Sequence, residues 1–173
     1  WGGLSPGVAV YKDLDRDGNI TDDDQTAMGN PRRPELMFGI PLGFQYKNCD
    51  MSILLQGATN TSILLNGAAV YDFPQFDQDK IGKVKKMHLD RWTPETASTA
   101  KYPALHMGTH DNNKTNSSLF LYDAKYLRLK NIEIGYNLPL KFLKKYNLQQ
   151  VRIYAQGLNL ITWDGLKDVD IDP

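Results

Sequence analysis

The chain has 173 residues, with 20 lysines and arginines balancing 20 aspartates and glutamates. That balance gives no basic field for nucleic acid and no acidic solvating tail, so no nucleic-acid partner is expected. Mean hydropathy is negative, and no run approaches the roughly 18 apolar residues of a membrane helix. A membrane β-barrel is not excluded, because its strands hide half their residues in a polar lumen. The single Cys49 forms no internal disulfide, which excludes a disulfide-stapled module. The chain opens on Trp1-Gly2-Gly3 and stops at Asp172-Pro173 within an acidic, turn-like stretch, so a segment of a longer protein is expected.

Residues 1–34 read as a loop region with one chemically specific feature. Asp13-Leu14-Asp15-Arg16-Asp17-Gly18-Asn19-Ile20-Thr21-Asp22-Asp23-Asp24 follows the calcium loop of EF-hand type. Asp13, Asp15 and Asp17 take the three alternate carboxylate positions, and Gly18 allows the sharp turn. Asn19 offers its backbone carbonyl, and Asp24 closes the loop where glutamate is usual. Calcium wants six to eight oxygens around one point, and this spacing supplies them. The approach Val8-Ala9-Val10-Tyr11 reads as a strand, so no helix–loop–helix sensor is expected. A solvated acidic turn is the plain alternative.

From Phe38 every second residue is large and apolar: Phe38, Ile40, Leu42, Phe44 and Tyr46, against Gly39, Pro41, Gly43, Gln45 and Lys47. A turn at Asn48-Cys49-Asp50 follows, and Met51, Ile53 and Leu55 resume the alternation. Period two means strands, and residues 35–57 form a hairpin with one greasy face. The other face carries glycine, proline, glutamine and lysine, which suits a wet lumen. Strands of about ten residues in this pattern are expected of a transmembrane barrel, although an ordinary antiparallel sheet would show it too. Pro41 removes a ladder donor, so it must occupy a bulge or a donor-free side, or the strand is shorter than the alternation suggests.

Residues 58–117 read as a long insertion, with a short amphipathic helix over Phe76–Trp92 built on Ile81, Val84, Met87 and Trp92. Lys80, Lys83, Lys85 and Lys86 surround it, and a phosphate- or glycan-binding patch is the sharper alternative to a solvated face. His106 and His110 have metal-ligand spacing, but Met-Gly-Thr between them argues against the helix this pairing needs. Asp77, Asp79 and Glu95 sit on no rigid paired elements, as a glycosidase would require, and no catalytic residue is assigned. Over 118–163 a strand pair is expected. Leu127 and Leu129 share one parity, whereas Ile132, Ile134, Tyr136 and Leu138 share the other. One face can hold both sets only if a β-bulge lies near Lys130-Asn131. Leu140–Tyr146 should make a helical turn, Gln149–Trp163 a fourth strand, and 164–173 the start of another loop.

Several phrases together resemble the SusC/RagA-type TonB-linked outer-membrane transporters of Bacteroidetes. They are Tyr11-Lys12-Asp13-Leu14-Asp15, Asp17 to Asp24, Gly29-Asn30-Pro31 and Tyr46-Lys47-Asn48. Further on come Arg91-Trp92-Thr93-Pro94-Glu95, Tyr126 to Asn131, Gly135-Tyr136-Asn137-Leu138-Pro139 and Gly157-Leu158-Asn159-Leu160. The resemblance implies an all-β fold: about four antiparallel strands of a plugged barrel of roughly 22 strands. It implies a place in the bacterial outer membrane, in contact with lipid. It also implies import of a glycan or peptide nutrient with a SusD-like lipoprotein, driven by TonB through an N-terminal part of the parent. Residues 1–34, 58–117 and 164–173 would then be extracellular, and the turns near Cys49 and over Pro139–Gln149 periplasmic. Tyr46, Tyr136 and Trp163 suit interfacial girdles. The alternative function is a soluble, calcium-stabilised surface β-domain that binds glycans.

Overall fold

A computed structural model describes residues 5–67, 70–71, 84–106, 111–169 and 171–172. The chain divides into two compact units, one made of residues 31–61 and 124–165, the other of 1–30, 62–123 and 166–172.

The first unit is a four-stranded antiparallel sheet in the order β1 (Leu36–Tyr46), β2 (Cys49–Thr59), β5 (Tyr126–Asn137) and β6 (Arg152–Asp164). The hairpin is as the alternation requires, with each strand 11 residues long. Its turn is Lys47-Asn48, one residue earlier than the expected Asn48-Cys49-Asp50, because Tyr46 pairs with Cys49. Lys47 takes the left-handed region (φ 53°), a conformation more common for asparagine, which is why Asn48 draws the eye in the sequence. Pro41 lies within β1, opposite Leu54. A two-residue turn closes on a hydrogen-bonded pair, and bonded pairs then alternate outward. Pro41–Leu54 thus falls on a non-bonded place, and the donor that proline lacks would have pointed away from β2.

The bulge is where parity demands it. Leu54 pairs with Asn131 and Leu55 with Leu129, so Lys130 is an extra residue in β5. Strand β6 adds one more residue at the same level, between Leu158 and Ile161, with Asn159 left-handed at φ 50°. The insertion brings Leu127 and Leu129 onto the face of Ile132, Ile134 and Tyr136. Through the register these share one side with Phe38, Ile40, Leu42, Phe44, Met51, Ile53 and Leu55. Side chains on this face stand largely uncovered: Phe44 is 72% exposed, Leu42 50% and Ile134 54%.

With Tyr46, Ile153, Ile161 and Trp163 in the same rows, leaving the exposed side chains of this face half in water forfeits on the order of 10 kcal/mol, comparable to a whole domain's stability of about 5–15 kcal/mol. Among the described residues no packed layer within the unit covers this face, since its buried apolar side chains are Ala58 and Leu143. A strand of 11 residues is about 36 Å long, and at a tilt of about 40° it spans about 27 Å, close to the apolar band of a membrane barrel. Rows at the two ends carry the aromatics, with Tyr46 and Tyr136 level with Cys49 and Phe38 and Trp163 level with Gly57. A five-residue helix α1 (Leu140–Lys144) forms the expected turn between β5 and β6.

The second unit differs from the plain loops expected. Ser62–Leu64 (β3) pairs with Leu121–Asp123 (β4), so the first part of the strand pair expected over 118–163 is a separate short strand, broken from the next at Ala124-Lys125. Residues 58 and 59 belong to β2, and the strand pair expected over 118–163 begins at Tyr126. The helix expected over 76–92 falls partly outside the described residues, with Ile81, Lys80 and Lys83. Its described part is a 3-10 turn, Lys86–Asp90, in which Met87 and His88 are buried. Val8–Tyr11 joins no strand ladder; Ala9 instead donates its N–H to Asn113 Oδ1 at 2.9 Å. The tail after Asp164 folds inward, with Leu166 and Val169 buried and the 3-10 turn Lys167–Val169 against Lys86–Asp90.

Replacing Ile53 with lysine in the full-length protein should lower the temperature at which the barrel loses its heat-modifiable gel band. About 2–4 kcal/mol is expected for a lysine at the bilayer midplane. Ser52→Lys, one residue away on the opposite face, should leave the band nearly unchanged.

Candidate calcium loop and polar wall

The aspartate-rich loop is shaped by its own side chains. Asp13 accepts N–H bonds from Arg16 on Oδ1 (2.5 Å) and from Gly18 on Oδ2 (2.9 Å). Asp15 accepts from Asp17 (3.1 Å), and Asp17 from Asn19 (2.7 Å). Such carboxylate-to-backbone bonds wind the chain inward. Gly18 takes φ 87°, which a side chain would strain. The result places carboxylate oxygens of Asp13, Asp15 and Asp17 all within 4.8 Å of one another. Two ligands on one calcium stand at most about 4.6–5.2 Å apart, twice a bond of 2.3–2.6 Å. The cluster therefore has the dimensions and the all-oxygen chemistry of a calcium site.

Asp24 has a second role besides the one its spacing suggests. It stands outside the three-carboxylate cluster and ties the loop's ends, accepting the Leu14 N–H at 2.6 Å and the Thr21 N–H at 2.8 Å. Thr21 in return caps the short 3-10 turn Asp22–Asp24 by accepting the Asp23 N–H. The Asn19 N–H donates to Asp17 Oδ1, which leaves its carbonyl as the group the loop motif would use. The N–H bonds from Thr21 and Leu14 hold Asp24 below the ordinary carboxylate range. At Asp15 the Asp17 N–H works in the same direction. Partial desolvation and the charges of Asp17 and Asp24 outweigh it, so this carboxyl ends above its ordinary value. The loop thus stores repulsion that a cation would relieve.

The polar face of the sheet carries a second constellation, which the sequence reading missed. The Arg152 guanidinium on β6 reaches across β5 to pair through Nη2 with Asp50 on β2 and with Glu133 on β5, the latter at 2.6 Å. Its Nε donates to Asp50 Oδ1 at 3.2 Å, and Asn137 donates to the same oxygen at 3.3 Å. Gly135 makes this reach possible, since a Cβ there would stand 2.6 Å from the Arg152 Nε. Elsewhere on this face Arg128 donates to Thr162 Oγ1 at 3.0 Å and Gln156 to Asn131 at 3.2 Å. Gly135, small in an otherwise bulky strand, was the signal available in the sequence.

His88 is buried, its Nδ1 accepting the Lys85 N–H and its Nε2–H donating to the Val70 carbonyl at 2.9 Å, which makes it a structural histidine. His110, Asp77 and Asp79 lie outside the described residues. Tyr11, Trp92, Lys101 and Ser117 border a groove of about 520 Å³ in the loop unit.

A two-faced antiparallel sheet, apolar on one side and hydrogen-bonded polar on the other, defines a transmembrane barrel wall. No family model matches the chain. It is 32% identical over 170 residues to TonB-dependent receptor P3 of Formosa agariphila, covering 98% of this chain and 16% of that protein. It is 29% identical over 164 residues to TonB-dependent receptor P26 of the same organism, covering 95% of this chain and 16% of the receptor. The chain belongs to the TonB-dependent receptors, and it spans about 16% of the length of these relatives. The fold is also that of the RagAB peptide importer in its closed-closed state (TM-score 0.61, 21% identity, 94% of this chain and 18% of that one). The RagAB peptide transporter gives a TM-score of 0.58 at 21% identity, over 84% of this chain and 16% of that one. The sheet is open because the segment holds only part of a closed barrel. The soluble-sheet alternative is thereby set aside.

Because the folded Asp24 is more acidic than the unfolded one, its contribution is complete above the unfolded carboxylate value. It is lost as pH falls through the depressed folded value. Resistance of the loop to proteolysis should hold at neutral pH and fall in that acid window. Asp24→Asn should lower the neutral resistance and flatten the pH dependence.

Proposed function

We propose that the parent protein imports a glycan or peptide nutrient across the bacterial outer membrane, with a SusD-like surface lipoprotein as partner. TonB would supply the energy through a part of the protein N-terminal to this segment. The observation that carries this reading is the two-faced sheet in a chain that belongs to the TonB-dependent receptors. The peptide arm draws on the RagAB neighbours, a peptide transporter and importer. The glycan arm draws on the family phrases in the sequence. This segment supplies wall strands and loops and performs no covalent chemistry, in keeping with relatives that are receptors.

Within that reading, the long connections face outward, because barrels place short turns in the periplasm and long loops outside. Calcium stiffens the first of these loops. Asp13, Asp15 and Asp17 supply carboxylate oxygens, the Asn19 carbonyl supplies another, and Asp24 closes the loop through Leu14 and Thr21. Calcium supplies charge neutralisation and crosslinking only. An affinity of about 10⁻⁴–10⁻³ M suffices outside the cell.

Two measurements test this. Calorimetry on the full-length receptor should show calcium binding that Asp13→Ala with Asp15→Ala abolishes, and an unchanged titration in the double variant would remove the site. Uptake of labelled oligosaccharides and labelled oligopeptides by cells carrying or lacking the receptor tests the cargo. Loss of one class on deletion of the receptor, or of TonB, is expected, and uptake of both classes untouched by either deletion would overturn the transport reading.

A further inference from the structure

The turn between β5 and β6 holds a pattern that a simple connection does not need. Residues 138–151 contain Lys141, Lys144 and Lys145 and no acidic residue. Helix α1 is held to the sheet unit by Leu143, which is 2% exposed. Beside it Leu140, Tyr146 and Leu148 stand 62%, 58% and 47% exposed, pointing away from the protein. Large apolar side chains grouped outward with lysines mark a surface that another phase or molecule covers.

The same end of the sheet carries the Lys47-Asn48 turn, since Cys49 pairs with both Tyr46 and Tyr136, and Tyr136 with Ile153. Lys47 Nζ stands 5.1 Å from the centre of the Tyr46 ring, and Lys145 Nζ 5.9 Å from that of Tyr146. In both places an ammonium rides on an aromatic body, the arrangement of a side chain crossing from hydrocarbon to headgroup. The acids closest in register, Asp50 and Glu133, are already paired with Arg152. Among the described residues, Lys47, Lys141, Lys144 and Lys145 have no carboxylate partner.

We propose that α1 and the Lys47 turn form a seat for anionic phospholipid in the periplasmic leaflet, the lysines gripping headgroup phosphates while Leu140, Tyr146 and Leu148 enter the acyl boundary. The inference rests on the outer-membrane reading above, which turns the short connections toward the periplasm. Two observations choose lipid as the occupant. The charge is complementary to phosphate, and the apolar group lies in the connection at the same end of the sheet as the lipid-facing Tyr46, Tyr136 and Ile153. A periplasmic protein would meet the lysines but would not account for exposed apolar side chains at the membrane-facing end of the strands.

The test is native mass spectrometry of the full-length receptor with phosphatidylglycerol or phosphatidylethanolamine added. The wild type should retain phosphatidylglycerol preferentially. Lys141→Gln, Lys144→Gln and Lys145→Gln together should weaken that binding by about fivefold per lysine, while the three Lys→Arg changes should keep it. Equal retention in the glutamine variant overturns the proposal. So does a glutamine variant that keeps its lipid and instead loses a co-purifying periplasmic protein. Should the glutamine variant not fold, salt titration of the wild type decides. Phosphatidylglycerol binding must weaken as salt rises, and salt-independent binding overturns the seat. A receptor that carbonate washing strips from membranes would overturn the wall reading itself, whereas an integral receptor without lipid preference overturns only this inference.

Discussion

Every backbone N–H and C=O that crosses hydrocarbon must find its partner within the protein, since lipid offers none. That requirement governs this chain. It explains why β1, β2, β5 and β6 pair over nearly their whole lengths, with 11 register pairs between β1 and β2 alone. It explains why Pro41 sits where its missing donor is not owed to β2. It also fixes what the segment lacks, because the outer edges of β1 and β6 can be satisfied only by further strands. The wall is a component whose stability belongs to a closed structure.

Once the ladder is fixed, the pleat distributes chemistry to two sides. One side is aliphatic and aromatic and gains from lipid. The other collects Asp50, Glu133 and Arg152, Arg128 and Thr162, and Asn131 and Gln156, each group paired across strands. The Arg152 bridge spans three strands and so resists their sliding. Its side chains remain partly exposed, so it contributes more to register than to net stability. The bulges at Lys130 and Asn159 re-phase the strands and keep both sides consistent from one end to the other.

Parity made much of this readable from the residues. The hairpin, the bulge, the turn of helix after Pro139 and the three clustered aspartates all follow from short-range patterns. What escaped depends on longer-range geometry. The β3–β4 ladder is three pairs long and carries no periodicity to detect. Lys47 in a left-handed conformation moved the turn by one residue. The Asp24 carboxylate also ties the loop's ends through the Leu14 and Thr21 N–H groups, which spacing alone does not show. The Arg152 bridge is invisible until register brings Asp50, Glu133 and Gly135 beneath one guanidinium.

Spin labels placed singly along residues 50–56 of the full-length receptor in liposomes, with Cys49 replaced by serine, would test the wall most directly. Labels at 51, 53 and 55 should be relaxed by oxygen dissolved in the bilayer, and labels at 50, 52 and 56 by a water-soluble nickel complex. Accessibility without a two-residue period, or nickel access on both sides of the strand, would contradict the account.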